Sequence, residues 1–186
     1  MLSSGHIESG LVLLLSYLYN DLGWGGTHWF TRNLLNALGI TSFAAGALAV
    51  TLQSKIPAAL LPWLGMIAAV VGTTVHTQDM FDQQGDAAAG RDTLPLVIGD
   101  ALTRWTIALA VTFWSWVVPW YWRSAGAGYS LPVALGMAIS WRILTRRKMA
   151  EDKATYRIYN GWLAAIYALP LIASSEQFAQ QGISRQ

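Results

Sequence analysis

Apolar residues run along this chain in six long blocks, not in the short alternation of half-buried strands. The blocks fall at 7–22, 33–52, 57–78, 101–122, 128–145 and 158–175. A helix needs about 20 apolar residues to cross the hydrocarbon core of a bilayer. The pattern therefore predicts an all-α, multi-pass transmembrane helical bundle of about six spans. The first and fifth blocks are short for a span, so their ends are soft. Pro57, Pro62, Pro119, Pro132 and Pro170 lie within or at the ends of blocks, where helices of a bundle can make up for the hydrogen bond that proline removes. Gly39, Ala45, Gly46 and Ala49 give the second block a small-residue stripe suited to close helix contact. No repeat or low-complexity tract competes with this reading, and residues 1–186 read as a single transmembrane domain.

Composition points the same way. Of the 186 residues, 54% are hydrophobic and only 12% are charged, about half the charge of an ordinary soluble domain. Cysteine is absent, which removes disulfides, thiol nucleophiles and thiolate metal sites together. A net charge of +2 gives no argument for a nucleic-acid partner. Met1 to Glu8 carries an acid and no basic region, so no cleavable signal peptide is evident.

The loops are charged asymmetrically. One side holds Arg32, Arg91, Arg104, Arg142, Arg146, Arg147, Lys148, Lys153 and Arg157, and the other holds Lys55, Arg123 and Arg185. The positive-inside rule places the first side in the cytoplasm, with both termini facing the lumen or exterior. Trp24, Trp29, Trp63, Trp120, Trp122 and Trp141 fall near block ends, where indole rings favour the interface.

The candidate chemistry sits at the cytoplasmic end of the third block. Asp79, Asp82 and Asp86 follow one another at i, i+3 and i+7, and Arg91 comes five residues later. In a regular α-helix, at about 100° per residue, Asp79 and Asp86 point within roughly 20° of each other and Asp82 lies about 60° aside. Carboxylates clustered at a membrane edge need compensation, and a cation is the usual reason. Mg²⁺ prefers oxygen ligands and is commonly shared between a few carboxylates and substrate phosphates. The three aspartates suit such a bridge to a diphosphate, and Arg91 could add a charge-assisted contact to phosphate oxygen. His76, three residues before Asp79, could face the same cavity. Each signal also has an ordinary reading. The aspartates can be solvated, Arg91 a positive-inside anchor, His76 a packed histidine, and Trp114 and Trp116 packing or lipid-facing residues instead of an aromatic wall for a carbocation.

Taken in order, Asp79-x-x-Asp82-x-x-x-Asp86-x-x-x-x-Arg91-x-Thr93-Leu94-Pro95, with Gly99 before the next block, resembles the second aspartate-rich motif of the UbiA superfamily of membrane prenyltransferases. The likeness extends to Tyr19-Asn20-Asp21-Leu22-Gly23, to the stretch from Thr31 to Gly39, and to Tyr159-Asn160-Gly161-Trp162-Leu163 with Tyr167, Leu169, Pro170 and Leu171. It is nearest the fungal branch, which includes UbiA-type terpene cyclases of secondary metabolism. The resemblance implies nine helices around a cavity open to the cytoplasm, with Mg²⁺ and the diphosphate of an isoprenoid held by two Asp-rich motifs. Asp79, Asp82 and Asp86 match the second motif as metal ligands. Arg91, and Arg32 near a basic position of the family, are the implied diphosphate contacts. No residue is singled out as an acid or base.

The family's first motif, Asn-x-x-x-Asp-x-x-x-Asp, is missing: after Asn20-Asp21, position 24 is Trp and position 28 is His. The six blocks correspond best to spans four through nine. The chain is thus expected to lack about the first third of the family's fold, as a fragment, a wrongly started gene model or a truncated paralogue. The leading expectation is a Mg²⁺-dependent membrane prenyltransferase acting on a prenyl diphosphate, in an endomembrane such as the endoplasmic reticulum. Its rivals are a terpene cyclase, a catalytically incomplete homologue that only binds prenyl diphosphate, and, last, a cation transporter. Donor length, acceptor and oligomeric state stay open.

Overall fold

In the computed structural model, residues 5–183 are described. The elements in order are α1 (His6–Asn20), α2 (Trp24–Thr27), α3 (Trp29–Leu52), α4 (Leu61–Thr74), α5 (Gln83–Ala88), α6 (Leu94–Val97), α7 (Asp100–Tyr121), α8 (Gly126–Thr145) and α9 (Met149–Ile183). Short 3₁₀ stretches at Ala58–Leu60 and Val75–Phe81 lead into and out of α4. No strand occurs among the described residues, so the all-helical expectation holds. Among the described residues, three stretches, against the six expected, are long and apolar enough to cross a membrane: Trp29–Leu52, Ala58–Phe81 and Asp100–Tyr121.

The sixth block differs most from expectation. The sequence predicts a span from 158, whereas α9 begins at Met149. Charge hides this start from a hydropathy reading. Glu151 and Asp152 occupy the first turn, where carboxylates complement the positive end of the helix dipole.

The helices sort into two compact units, one ending at Thr103 and one beginning at Arg104. In the first unit, α3 packs against both α1 and α4. Ala37 of α3 meets Val71 and Val75 in a buried cluster. Of the small residues of α3, Gly46 lies against the Glu8 side chain of α1 and Ala49 is buried, whereas a Cβ at Gly39 would meet nothing.

In the second unit, Ile107, Val111, Ile139, Ile143, Trp162 and Leu169 are fully buried. A polar thread runs through this core. Trp162 Nε1 donates to Ser115 Oγ at 2.8 Å, and Ser115 Oγ donates to the Val111 carbonyl at 2.7 Å. Thr112 and Ser140 share a hydrogen bond of 2.9 Å. Gly136 makes this packing feasible, because a Cβ there would overlap the Ser115 hydroxyl.

Arg104 anchors the ends of three helices. Its two terminal nitrogens reach Asp152 Oδ1 and Oδ2, each at 2.8 Å, and one also donates to the Ile143 carbonyl at 2.9 Å. Both side chains are buried. The sequence offers Arg104 only as a positive-inside charge. Its bidentate partner became visible once α9 was seen to start before Asp152.

Candidate functional site

Helix α4 does not run as a regular helix to the aspartates. Thr74 Oγ1 donates to the Val70 carbonyl and Thr77 Oγ1 to the Thr74 carbonyl, each at 2.6 Å. Such hydroxyl-to-backbone bonds compete with the α-helical ladder, and Val75–Phe81 winds as a 3₁₀ helix. That winding has three residues per turn, so side chains at i and i+3 eclipse. His76 and Asp79 accordingly share a buried side. Asn33 Nδ2 of α3 meets His76 Nδ1 at 3.3 Å, which gives the histidine a structural partner.

The predicted single acidic face is divided. Asp79 and Asp86 are each about 1% exposed. Asp82 interrupts the winding between the 3₁₀ stretch and α5, with φ −115° and ψ 16°, and is exposed. Its carboxylate lies over Gly85. Asp79 remains within electrostatic range of both Asp86 and Asp82. Among the described residues, no three His, Asp or Glu side chains converge as a ready metal cage.

Each buried aspartate has an arginine partner. Arg32 Nη2 lies 3.0 Å from Asp79 Oδ1, and Arg91 Nη1 lies 3.1 Å from Asp86 Oδ1. Arg32 also interacts electrostatically with Asp86. Position 32 falls in the first turn of α3, whose N-terminus is set by His28: the chain is extended there, and the ring Nδ1 accepts from the Phe30 N–H. Side chains in a first helical turn lean back toward the N-terminus. Arg32 thus reaches α1 and α2, donating from Nη1 to Tyr19 Oη at 2.8 Å and to the Gly25 carbonyl at 3.2 Å. Gly25 has to be small, because a Cβ there would stand 2.6 Å from the Tyr19 ring.

Two further links tie the loops together. The Asp92 N–H donates to the Gly26 carbonyl at 3.2 Å. Gln83 Nε2 donates to Asp100 Oδ1 at 3.0 Å and to the Met80 carbonyl at 3.1 Å. Tyr19 and Gly25 are neighbours of Arg32 that residue type alone does not mark. Only the Tyr19-to-Gly23 likeness pointed to one of them.

The arginines line a cavity of about 520 Å³ together with Tyr19, Gly26 and Gly90. Arg32 is partly buried and Arg91 is 46% exposed. The second carboxylate oxygens, Asp79 Oδ2 and Asp86 Oδ2, are buried and have no hydrogen-bond partner. Buried polar atoms without partners are rare in proteins. Two anionic oxygens left open beside two cations form an arrangement that accepts a hard cation with oxygen preference and an anionic ligand together. The donor set therefore fits Mg²⁺ through Asp79 and Asp86, while Asp82 faces outward. Trp114 and Trp116 make edge-to-face contacts with Phe113 and Tyr129, with centroids 4.9 and 5.7 Å apart. Both are engaged in packing.

Comparison with known proteins agrees with the motif reading. The profile of the UbiA prenyltransferase family matches residues 7–168. Somaliensene A/B synthase of Streptomyces somaliensis is 28% identical over 168 residues, covering 87% of this chain and 54% of that protein. Diterpene cyclase eriG of Hericium erinaceus is 31% identical over 140 residues, 72% of this chain and 44% of that protein. Polyprenyl transferase eriF of the same organism is 34% identical over 147 residues, 72% of this chain and 46% of that protein. The chain thus spans about half the length of the curated relatives it matches. No solved structure matches it. From the order of its aspartates to the reach of the family match, this chain belongs to the UbiA prenyltransferase family.

Proposed function

We propose that the chain belongs to a UbiA-type membrane enzyme that ionises a prenyl diphosphate and transfers the prenyl group to an acceptor. One observation carries this reading: Asp79 and Asp86 each give one oxygen to an arginine and keep the other buried and unpartnered. Asp79 and Asp86, with Asp82 at the rim, would hold Mg²⁺. Bound Mg²⁺ supplies neutralisation of the charge that develops on a departing diphosphate. Arg32 and Arg91, lining the adjacent cavity, hold the diphosphate and steady it as the bond between the allylic carbon and oxygen breaks. The electron pair leaves with the diphosphate. The allylic cation is then captured by an acceptor carbon, which loses a proton.

A second reading is cyclisation, in which a double bond of the same chain captures the cation. It is favoured by two relatives, named as a synthase and a diterpene cyclase. Binding without turnover is the third, motivated by the missing first motif. In each case the six apolar blocks are taken as spans of a single domain over 1–186, corresponding to the last six of nine. The Asp-bearing loop faces the cytoplasm, in an endomembrane such as the endoplasmic reticulum.

The test is diphosphate release from farnesyl or geranylgeranyl diphosphate with Mg²⁺, with and without a quinol or indole acceptor. Release that needs the acceptor and is lost in Asp79→Ala supports transfer. Acceptor-independent release with a cyclic hydrocarbon product supports cyclisation. Saturable binding with no release leaves the protein a binder and overturns the enzymatic account.

A further inference from the structure

Half of the chain's positive charge sits in one short stretch. Residues 142–157 carry six of the twelve Lys and Arg but only two of the ten Asp and Glu, so the remainder of the chain is net acidic. Both acids of the stretch are held by arginines that are themselves buried or partly buried. Asp152 takes both terminal nitrogens of Arg104, and Glu151 takes Arg142 at 2.7 Å. Arg146, Lys148, Lys153 and Arg157 are exposed, and they form no ion pair among the described residues. Met149, Lys153 and Arg157 follow one another at four-residue steps along the exposed side of α9, while Asp152, Thr155 and Tyr159 are buried. Like charges one turn apart repel and weaken a helix. The stripe therefore destabilises α9 unless an anion lies against it.

The fold holds these cations at one end of a membrane-long helix. Arg104, near the start of α7, donates to the Ile143 carbonyl of α8 and to Asp152 of α9, which pins the α8–α9 turn beside that end. Helix α7 is long and apolar enough to cross a bilayer. Leu102, Trp105, Leu109, Phe113 and Trp120 are exposed on it, at spacings that keep them on one side. Trp141, in the last turns of α8, is exposed as well, and the Arg146 guanidinium lies over its ring, 5.4 Å from the centroid. An indole favours the boundary between hydrocarbon and headgroups, and its π-face attracts a cation. The pair thus sets a positive charge at headgroup level.

We infer that the α8–α9 turn and the exposed stripe of α9 bind the headgroups of anionic phospholipids in the leaflet at that end of α7. Charge complementarity selects the occupant. The cytoplasmic leaflet carries the negative lipids, and each Lys or Arg beside a span adds to the attraction. Exposed Trp141 and Met149 among the cations match a surface that is apolar just below its charge, which a soluble acidic partner does not offer. The assignment does not draw on the diphosphate reading of Arg32 and Arg91.

The experiment titrates the full chain in detergent with phosphatidylserine or phosphatidylcholine and counts bound lipid by native mass spectrometry. The unaltered protein is expected to bind phosphatidylserine about tenfold or more tightly than phosphatidylcholine. Most of that preference should disappear as salt rises from about 50 mM to about 500 mM. Three double variants each remove two positive charges. Arg146→Gln with Lys148→Gln alters the turn, and Lys153→Gln with Arg157→Gln alters α9. Lys55→Gln with Arg123→Gln is the control, taken from the side predicted to face the lumen or exterior. Each of the first two is expected to lower the preference about fivefold or more, and the control to change it less than about twofold. Because the first two lie on different elements, either carries the test if the other does not fold. No preference in the unaltered protein overturns the assignment and leaves the patch to an acidic protein. A preference that survives in both patch variants overturns it too. So does an equal loss in the control, which would report net charge and not place.

Discussion

Arg32 and Asp79 stand 47 positions apart in sequence and meet at 3.0 Å, with Tyr19 and Gly25 holding the other terminal nitrogen of the guanidinium. One pair thus joins α1, α2 and α3 to the winding that ends α4. Removing either partner strands the other in a buried place. Asp79→Ala and Arg32→Ala are each expected to lower stability by about 3–5 kcal/mol. The double variant should fall short of the sum by about 1 kcal/mol or more. Thermal unfolding in detergent, read as a double-mutant cycle, checks this. Additive losses would show that the pair is not coupled.

Asp86 and Asp82 are expected to differ toward metal. Asp86 keeps a buried oxygen open and Asp82 is exposed. Asp86→Asn should raise the Mg²⁺ concentration for half-maximal diphosphate binding by about 10-fold or more, as befits a lost charged contact. Asp82→Asn should change it by less than about 5-fold, the scale of an exposed ion pair. A Mg²⁺ titration at fixed inorganic diphosphate separates the two. Equal losses would show that the three carboxylates act as a symmetric set.

Within the second unit, the two arginines that bind acids of α9 should behave unlike each other. Arg104 and Asp152 are both buried and bidentate, whereas Arg142 and Glu151, at 2.7 Å, are partly exposed. Asp152→Ala is expected to destabilise by about 3–5 kcal/mol, and Glu151→Ala by about 1 kcal/mol or less. Denaturation followed by tryptophan fluorescence is the measurement. A milder effect at Asp152 would mean that the carbonyls of Ile143 and Arg146, which also accept from Arg104, compensate for the lost carboxylate.

Gly25→Ala places a methyl group against the Tyr19 ring. Overpacking of this kind typically costs about 1–3 kcal/mol, and here it displaces the ring that positions Arg32. The variant should weaken inorganic diphosphate binding as Arg32→Ala does, while a control such as Gly65→Ala, where a Cβ meets nothing, should not. Unchanged binding in Gly25→Ala would show that Tyr19 is dispensable for holding the guanidinium.

Much of this was legible in the sequence, because the physics involved is local or periodic. The apolar blocks marked the chain as all-helical, though three of the six meet the length and hydropathy of a span among the described residues, and the order from Asp79 to Pro95 gave the family that the profile match confirms. Three things were not legible. The start of α9 was masked by Glu151 and Asp152, polar residues that stabilise a helix end while lowering its hydropathy. The partners of Arg32, Arg91 and Arg104 depend on helix packing, which residue spacing along one element does not encode. The common face of the three aspartates assumed a regular α-helix, and the 3₁₀ winding of Val75–Phe81 undoes that assumption.

The 3₁₀ winding of Val75–Phe81 makes screw pitch a means of aiming a carboxylate. Each residue of the tighter winding turns about 20° further than an α-helical one, so from Val75 to Asp79 the direction swings by roughly 80°. The change of winding therefore re-aims Asp79 without any contact at its own side chain. A relative that keeps every acid but continues the α-helix through this stretch would carry the same spelling and point it elsewhere.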